Sequence, residues 1–399
     1  MATTDLERLL ARGVAEVIVR EELLERLRSG RSLRLKLGLD PSKPDLHIGH
    51  AVVLRKLRQF QELGHHVVLI VGDWTAQIGD PSGREASRQM LSPEEVRANA
   101  QTYLEQFYLI VDPARTEIRW QSEWFDRFTL ADVFRLTSRF SLAQMMQHET
   151  FRQRYESGRP LSLMELLYPL LQAYDSVAIQ ADVEFGGTDQ KFNILAGREL
   201  QSSLGLPPQD VFLCPLLVGT DGRKMSKSFG NTIDLTAPAG EMYGRVMRLD
   251  DAVMMDYFEL VTDVPDEELA EMRRALAAGE VHPMELKKRL AREIAGQFHP
   301  PEAVQAAEAE FERVVQRGEV PAEVPTAPLE QEMLLKAFLS RAGLVASASE
   351  AGRLIQQGAV EVDGRRVTDP TFRLSPDDVP PQGLLIQAGK RRFVRVVRS

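Results

Sequence analysis

The chain has 399 residues, 43% hydrophobic and 27% charged, an ordinary composition for a globular protein of two or three domains with length enough for a large core. The single cysteine, Cys214, excludes an intramolecular disulfide; residues 1–30 are charged throughout and lack the apolar stretch of a secretory signal; no run reaches membrane-spanning length. A cytoplasmic protein with no membrane and no DNA partner is expected. The net charge of −9 argues at first against any nucleic acid, but residues 331–399 hold 11 Lys and Arg against 7 Asp and Glu, and residues 1–330 hold 38 against 51.

In chain order, Ser32 to Leu39 alternates polar residues with leucine at period two and reads as a strand, and Val52, Val53, Leu54, Leu57, Phe60 and Leu63 recur at helical spacing. Between them Leu37-Gly-Leu-Asp-Pro-Ser-Lys-Pro-Asp-Leu-His-Ile-Gly-His50 crosses from strand to helix, with Pro41 and Pro44 ending the strand and Asp45 as the expected helix cap. A helix N-terminus offers unpaired backbone N–H groups to a phosphate. Gly49 leaves room for a flat ligand, and His47 and His50, on one face of the first turn, could donate to phosphate oxygens. As metal ligands the two histidines lack a third and fourth partner.

The run Val67 to Val71 reads as a strand buried on both faces, so strand, helix and strand form a right-handed crossover in a parallel sheet. The Gly- and hydroxyl-rich stretch 72–83 falls at the carboxyl end of that strand, where open α/β sheets bind ligands. Thr75 and Asp80 could face a substrate ammonium there, although Asp80-Pro81 reads equally as a turn. Ser92 and Glu95 form a capping box, and the chain from there to Gly158 reads mostly as amphipathic helix. Its aromatics and methionines suit either a partner-facing surface or a helical core.

Tyr168, Gln172 and Asp175, spaced by four and three, line one helix face. Such a polar stripe either bonds internally or reads a polar ligand, because buried groups left unpaired are costly. Gly186-Gly187, followed by Thr188, Asp189 and Gln190, lets a ribose or amino acid approach the backbone. Asp221-Gly-Arg-Lys-Met-Ser-Lys-Ser228 collects Lys224, Ser226, Lys227 and Ser228 on one loop, where a lysine can follow a departing pyrophosphate; read alone, the string is equally a solvated basic loop. In the tail, Ser347 and Glu350 form a capping box, Asp363-Gly364 closes a hairpin, and 389–395 supplies a basic strand.

His47-Ile-Gly-His50 together with Lys224-Met-Ser-Lys-Ser228 resembles the signature pair of class I aminoacyl-tRNA synthetases, and Tyr168 to Asp175 with Gly186 to Gln190 resembles the bacterial tyrosyl enzymes. The tail, Ser347 to Arg366, resembles the small RNA-binding domain of ribosomal small-subunit protein four. The resemblance spans essentially the whole chain. It implies an α/β protein: a Rossmann-like parallel-sheet catalytic domain over 1–220 with a helical insertion at about 91–160, a signature loop and connector at 221–234, a helical anticodon-side domain at 235–320, a linker at 321–330 and a small α+β RNA-binding domain at 331–399.

The resemblance further implies that tyrosine attacks the α-phosphate of ATP and that the tyrosyl group then passes to the terminal ribose of tRNA(Tyr), in a homodimer. Magnesium is expected to come with ATP, with no protein-bound metal site. Carried over residue by residue, Ser42, His47, His50, Lys224 and Lys227 are the catalytic donors, and Gly38, Asp40, Gly49, Gly187, Asp189, Met225, Ser226 and Ser228 complete the ATP site. Asp80, Tyr168 and Gln172 would bind the substrate ammonium, with Asp40 and Thr75 nearby; Asp175 would accept from the phenol and Gln190 would lie near the reacting carboxylate. Arg353, Arg365, Arg366, Lys390, Arg391 and Arg392 would meet tRNA. One position departs from the pattern: many bacterial tyrosyl enzymes carry a tyrosine where this chain has Lys36, a buried cation that needs a partner, with Asp175 the candidate. A tryptophanyl-like activating enzyme and a catalytically silent RNA-binding protein on the same scaffold are the alternatives. Tyr174-Asp175 and the basic tail oppose the first, and the two intact signatures oppose the second.

Overall fold

The computed structural model describes residues 3–41, 45–82, 91–226, 229–321, 324–389 and 392–398. Six strands, β1 (Glu16–Ile18), β2 (Arg34–Leu39), β3 (His66–Val71), β4 (Thr116–Trp120), β5 (Val183–Gly187) and β6 (Asp210–Cys214), form a sheet in the order β1-β6-β5-β2-β3-β4. All neighbours are parallel except β1, which runs antiparallel on the edge against β6. The chain passes from β2 outward to β3 and β4 and then returns to the other side of β2 for β5 and β6. The direction of winding therefore reverses between β2 and β5, and in open α/β sheets ligands sit at the carboxyl ends on either side of such a reversal. Here those ends are Leu39 and Gly187, where two of the sequence motifs lie.

The expected strands at β2 and β3 and the helix after them are present, the helix as Ile48–Glu62. Its cap is His47, not the expected Asp45. The Nδ1 of His50 accepts from the His47 backbone N–H at 3.1 Å, so the turn is closed from within the His-x-Gly-His motif itself. Ser92 and Glu95 form the expected capping box of the helix Pro93–Phe107. Farther along that stretch, Thr116–Trp120 is the edge strand β4 rather than helix. It is five residues long, half-buried throughout and carries Glu117 and Arg119, so it lacks the apolar run that marks the inner strands.

The chain divides into two units: Met1–Pro238 with Arg245–Phe298, and Ala239–Gly244 with His299–Ser399. In the first unit Arg12 closes the C-terminal end of the helix Met254–Val261 and the turn beyond it, donating to the carbonyls of Phe258, Glu259, Thr262 and Val264. Helix C-termini leave carbonyls unpaired, and a guanidinium with five donors satisfies several at once.

The second unit carries β7 (Thr326–Leu329), β8 (Met333–Leu334), β9 (Val360–Val362), β10 (Arg365–Val367), β11 (Arg373–Leu374), β12 (Leu384–Ala388) and β13 (Arg392–Arg398). Five of them form a sheet in the order β10-β9-β12-β13-β7, packed over Leu335, Phe338, Leu339 and Ile355. The Asp363-Gly364 hairpin forms as expected, with φ of +45° and +74° at its two central residues, the left-handed pair that a two-residue turn between twisted strands requires. Thr326–Leu329 corrects the sequence expectation of a linker over 321–330. Its prolines read as linker, but proline is compatible with an edge strand, and β7 pairs with β13 at the end of the sheet order.

Candidate active site

The first signature stretch meets the connector that follows the second through backbone. Ile48 N–H donates to the Ile233 carbonyl at 2.8 Å and Leu235 N–H to the Leu46 carbonyl at 3.1 Å, so the connector after the second motif runs antiparallel to the start of the first motif's helix. Met225 is buried beside Gly49, where an added Cβ would lie 3.0 Å from the His47 ring and 3.5 Å from the Met225 sulfur. Because His50 Nδ1 accepts a hydrogen bond, its neutral ring carries the proton on Nε2, where it is a donor. Lys224 donates to Asp189 Oδ2 at 2.7 Å. Asn231 ties this loop together: its Nδ2 donates to Asp221 Oδ1 at 2.7 Å and its Oδ1 accepts from the Ser226 N–H at 2.8 Å. Gly38, although in the central strand, is exposed, and among the described residues nothing lies within 4 Å of an added Cβ there.

Deeper along the mouth of the sheet, Asp40 accepts from Thr75 Oγ1 at 2.7 Å and from the Tyr168 hydroxyl at 2.8 Å. Burial and the Asp40 carboxylate push the Tyr168 phenol well above its ordinary range, so it stays a donor. Gln190 donates to Asp80 Oδ2 at 2.8 Å, and Asn193 to Gln190 Oε1 at 3.1 Å. Asp40, Thr75 and Tyr168 thus form one group and Asp80 with Gln190 another.

At the far end Asp175 accepts from Gln121 Nε2 at 2.8 Å and Trp124 Nε1 at 3.2 Å. Gln121 Oε1 also accepts from the Thr75 backbone N–H at 3.0 Å, which joins this end to the Asp40 group. Burial raises the Asp175 carboxyl to about 7, against the opposing pull of Lys36 and the two donors. The expected partner of Lys36 was Asp175; the structure pairs it with Glu184, 3.0 Å away, because the two residues are neighbours in register on β2 and β5. Lys36 also donates to the Gln172 carbonyl and to Ser176 Oγ, both at 2.7 Å, which commits all three N–H donors of the ammonium. The Gln172 amide, expected at the substrate ammonium, donates to Glu184 at 3.1 Å.

Sequence reasoning missed Gln121, Trp124, Glu184, Ser176 and Asn231. Only Glu184 gave a signal, as a charge inside an otherwise apolar strand. Ser42, Lys227, Ser228, Lys390 and Arg391 lie outside the described residues. In the second unit Arg353, Arg365 and Arg366 are exposed, whereas Arg392 donates inward to Glu350 at 3.1 Å and to the Leu344 carbonyl at 2.9 Å. A separate cavity of about 350 Å³ in the first unit is lined by Arg8, Arg12, Arg55 and Lys56 among others. Arg12 and Arg55 there already hold backbone carbonyls, Gln297 and Asp263, so they serve the fold.

Comparison with known proteins agrees with this geometry. Residues 28–316 match the family described as tRNA synthetases class I (W and Y), and residues 333–380 match the S4 domain. The chain is 54% identical over 399 residues to a tyrosine-tRNA ligase of Dehalococcoides mccartyi, with 99% of each chain covered. It is 48% identical to the Thermotoga maritima tyrosine-tRNA ligase, covering 99% and 98%. Among solved structures, tyrosyl-tRNA synthetase from Archaeoglobus fulgidus in complex with L-tyrosine shares the fold with a TM-score of 0.62 at 24% identity, covering 76% of this chain and 99% of that one. By its matched domains and by identity along nearly its full length, the chain belongs to the class I tRNA synthetases, within the tyrosine-tRNA ligase family.

Proposed function

We infer that this chain activates L-tyrosine with ATP, giving tyrosyl-adenylate and pyrophosphate, and transfers the tyrosyl group to the terminal ribose of tRNA(Tyr). The observation that carries this reading is the backbone pairing of 46–48 with 233–235, which ties the start of the first phosphate-directed motif's helix to the connector after the second. The tyrosine carboxylate is itself the nucleophile, so the protein supplies position and charge stabilisation rather than a covalent intermediate.

In this reading His50 Nε2, His47 and Lys224 face the triphosphate, together with Ser42 and Lys227. Asp189 meets the ribose after Lys224 leaves it, and Gly38, Gly49 and Gly187 give the nucleotide room. Asp40, Asp80 and Tyr168 take the substrate ammonium, with Gln172, Gln190 and Thr75 around it, and Asp175 accepts from the phenol. The imidazoles and ammoniums of the phosphate side suit an oxyanion rather than a cation, so magnesium is read as arriving on the ATP phosphates, whose charge it would partly neutralise. Arg353, Arg365 and Arg366 are the exposed cations proposed for tRNA backbone, with Lys390 and Arg391; Arg392 would orient that surface through Glu350.

As functional segments we propose 1–220 for activation, 221–234 for the signature loop and connector, 235–320 for the anticodon side, and 331–399 with β7 for RNA. A homodimer and a cytoplasmic location complete the reading. The exposed Leu130, Phe134, Leu142, Tyr155 and Leu163 offer an apolar surface for the dimer, and no helix among the described residues is long and apolar enough to cross a membrane.

The test is amino-acid-dependent exchange of labelled pyrophosphate into ATP with tyrosine, phenylalanine and tryptophan separately. Exchange with tyrosine alone is the expected outcome. Exchange with tryptophan would overturn the pocket assignment, and no exchange at all would overturn the reading.

A further inference from the structure

We propose that Lys36 and Glu184 are positioning residues for tyrosine recognition: as a buried ion pair they clamp the Gln172–Ser176 turn of the tyrosine-facing helix and keep Asp175 an acceptor for the phenol. The inference rests on the tyrosine-activating reading above and deepens it at one end of the site.

Both side chains are almost wholly inaccessible, on neighbouring central strands. A buried ion pair of this kind can often be replaced by apolar residues without loss of stability, so stability alone does not explain its presence. Its bonds indicate a different role. Of the three donors of Lys36, two go to a single turn of the helix Leu163–Ile179, at the Gln172 carbonyl and Ser176 Oγ. Glu184 holds the same turn with both of its oxygens: Oε1, which also meets Lys36, accepts from Gln172 Nε2, and Oε2 accepts from Ser176 Oγ at 3.0 Å and from Gln209 Nε2 at 2.5 Å. Gly197 of the neighbouring helix Lys191–Ser203 is pressed against this network; an added Cβ would lie 2.8 Å from both Ser176 Oγ and Gln209 Nε2. The clamped turn is the one that carries Asp175.

Charge acts through the same arrangement. Asp175 is faced by Lys36 from β2, Glu184 from β5, Gln121 and Trp124 from beside β4, and Tyr168 from its own helix. Lys36 is the strongest of the influences that oppose burial, and Glu184 acts in the other direction. An ionised carboxylate only accepts hydrogen bonds, so it rewards a phenol O–H over the plain ring edge of phenylalanine; a neutral acid can donate and loses part of that distinction. Lys36 therefore favours tyrosine without touching it.

The experiment compares the full-length parent with Lys36→Met and with Lys36→Met/Glu184→Gln, because the single change strands a buried carboxylate and the double change removes both charges. Tyrosine- and phenylalanine-dependent pyrophosphate exchange is followed from pH 5.5 to 8.5. In the double variant the preference for tyrosine should fall at least about tenfold, the acid limb of kcat/KM for tyrosine should move up by about one pH unit, and KM for ATP should stay within about twofold. Tyrosine-dependent exchange by the parent tests the underlying reading by itself. With an active parent, a double variant that keeps the parent's preference and acid limb overturns the inference. So does one that slows equally with both amino acids while the limb stays in place, the signature of a merely structural pair.

Discussion

The two ends of the site differ in when their polar groups are engaged. At the phenol end Lys36, Glu184, Asp175 and Gln121 are almost entirely buried and already bonded to protein. At the phosphate end the Lys224 side chain is 49% exposed and rests on Asp189, a residue of the proposed nucleotide site. Under the proposed function, selectivity would be built before the ligand arrives, where desolvation makes each unmet bond costly, whereas charge stabilisation would be completed by the ligand itself. Substitutions at the first end should alter stability and preference together, and at the second they should alter rate with little effect on the fold.

The largest contrast should come from Asp175→Asn. The folded Asp175 binds its proton up to about 7, while the unfolded chain releases it near 3.8, so the folded state holds more protons in between. This group's contribution is therefore most favourable at low pH and declines as pH rises from about 4 to about 7. Between pH 5 and pH 8 the parent should lose roughly 2–3 kcal/mol relative to the variant, read by urea unfolding of ligand-free protein at those two pH values. A parallel pH profile in both proteins would refute the buried-carboxylate account. His50→Ala comes next: exchange should slow by about 10²–10³, near 3 kcal/mol, with only about 1 kcal/mol of stability lost with the cap.

Gly72→Ala tests how tightly the Asp40 group is built. Its Cβ would lie 2.1 Å from Asp40 Oδ1 and 2.4 Å from Thr75 Oγ1, so about 1–3 kcal/mol of stability should go, with a higher KM for tyrosine. Unchanged kinetics would mean that the joint of Asp40, Thr75 and Tyr168 relaxes freely. The smallest change in stability, under about 1 kcal/mol, is expected for Lys224→Met, because its pair with Asp189 is exposed to solvent. Exchange should still slow markedly, and a stability loss larger than the rate loss would reverse the comparison.

The phosphate end was the more legible in sequence. His47, Gly49, His50 and Lys224 to Ser228 form short contiguous strings, and one turn or loop contains all that the chemistry asks of them. The inner strands and the helix Leu163–Ile179 were legible from apolar runs and from the spacing of Tyr168, Gln172 and Asp175. The partners at the phenol end were not. Gln121 and Trp124 follow a strand whose mixed pattern hid it, and Ser176 and Gln209 are unremarkable until the helix packs against β5. Lys36 and Glu184 did carry a clue. Glu184 is a charge inside an apolar strand and Lys36 a charge in a central strand that alternates with leucine; only their register, set by the winding order, shows that they are side by side.

That adjacency constrains how the chain can diverge. Losing either member of the pair alone leaves an unmatched buried charge, at about 3–5 kcal/mol, a large share of the roughly 5–15 kcal/mol that separates folded from unfolded protein. Any lineage that changes one position by a single codon passes through a protein close to collapse. Positions 36 and 184 should therefore be inherited as a unit, charged together or neutral together, whereas the exposed arginines of the tail are constrained by the proposed RNA contact rather than by the stability of the fold.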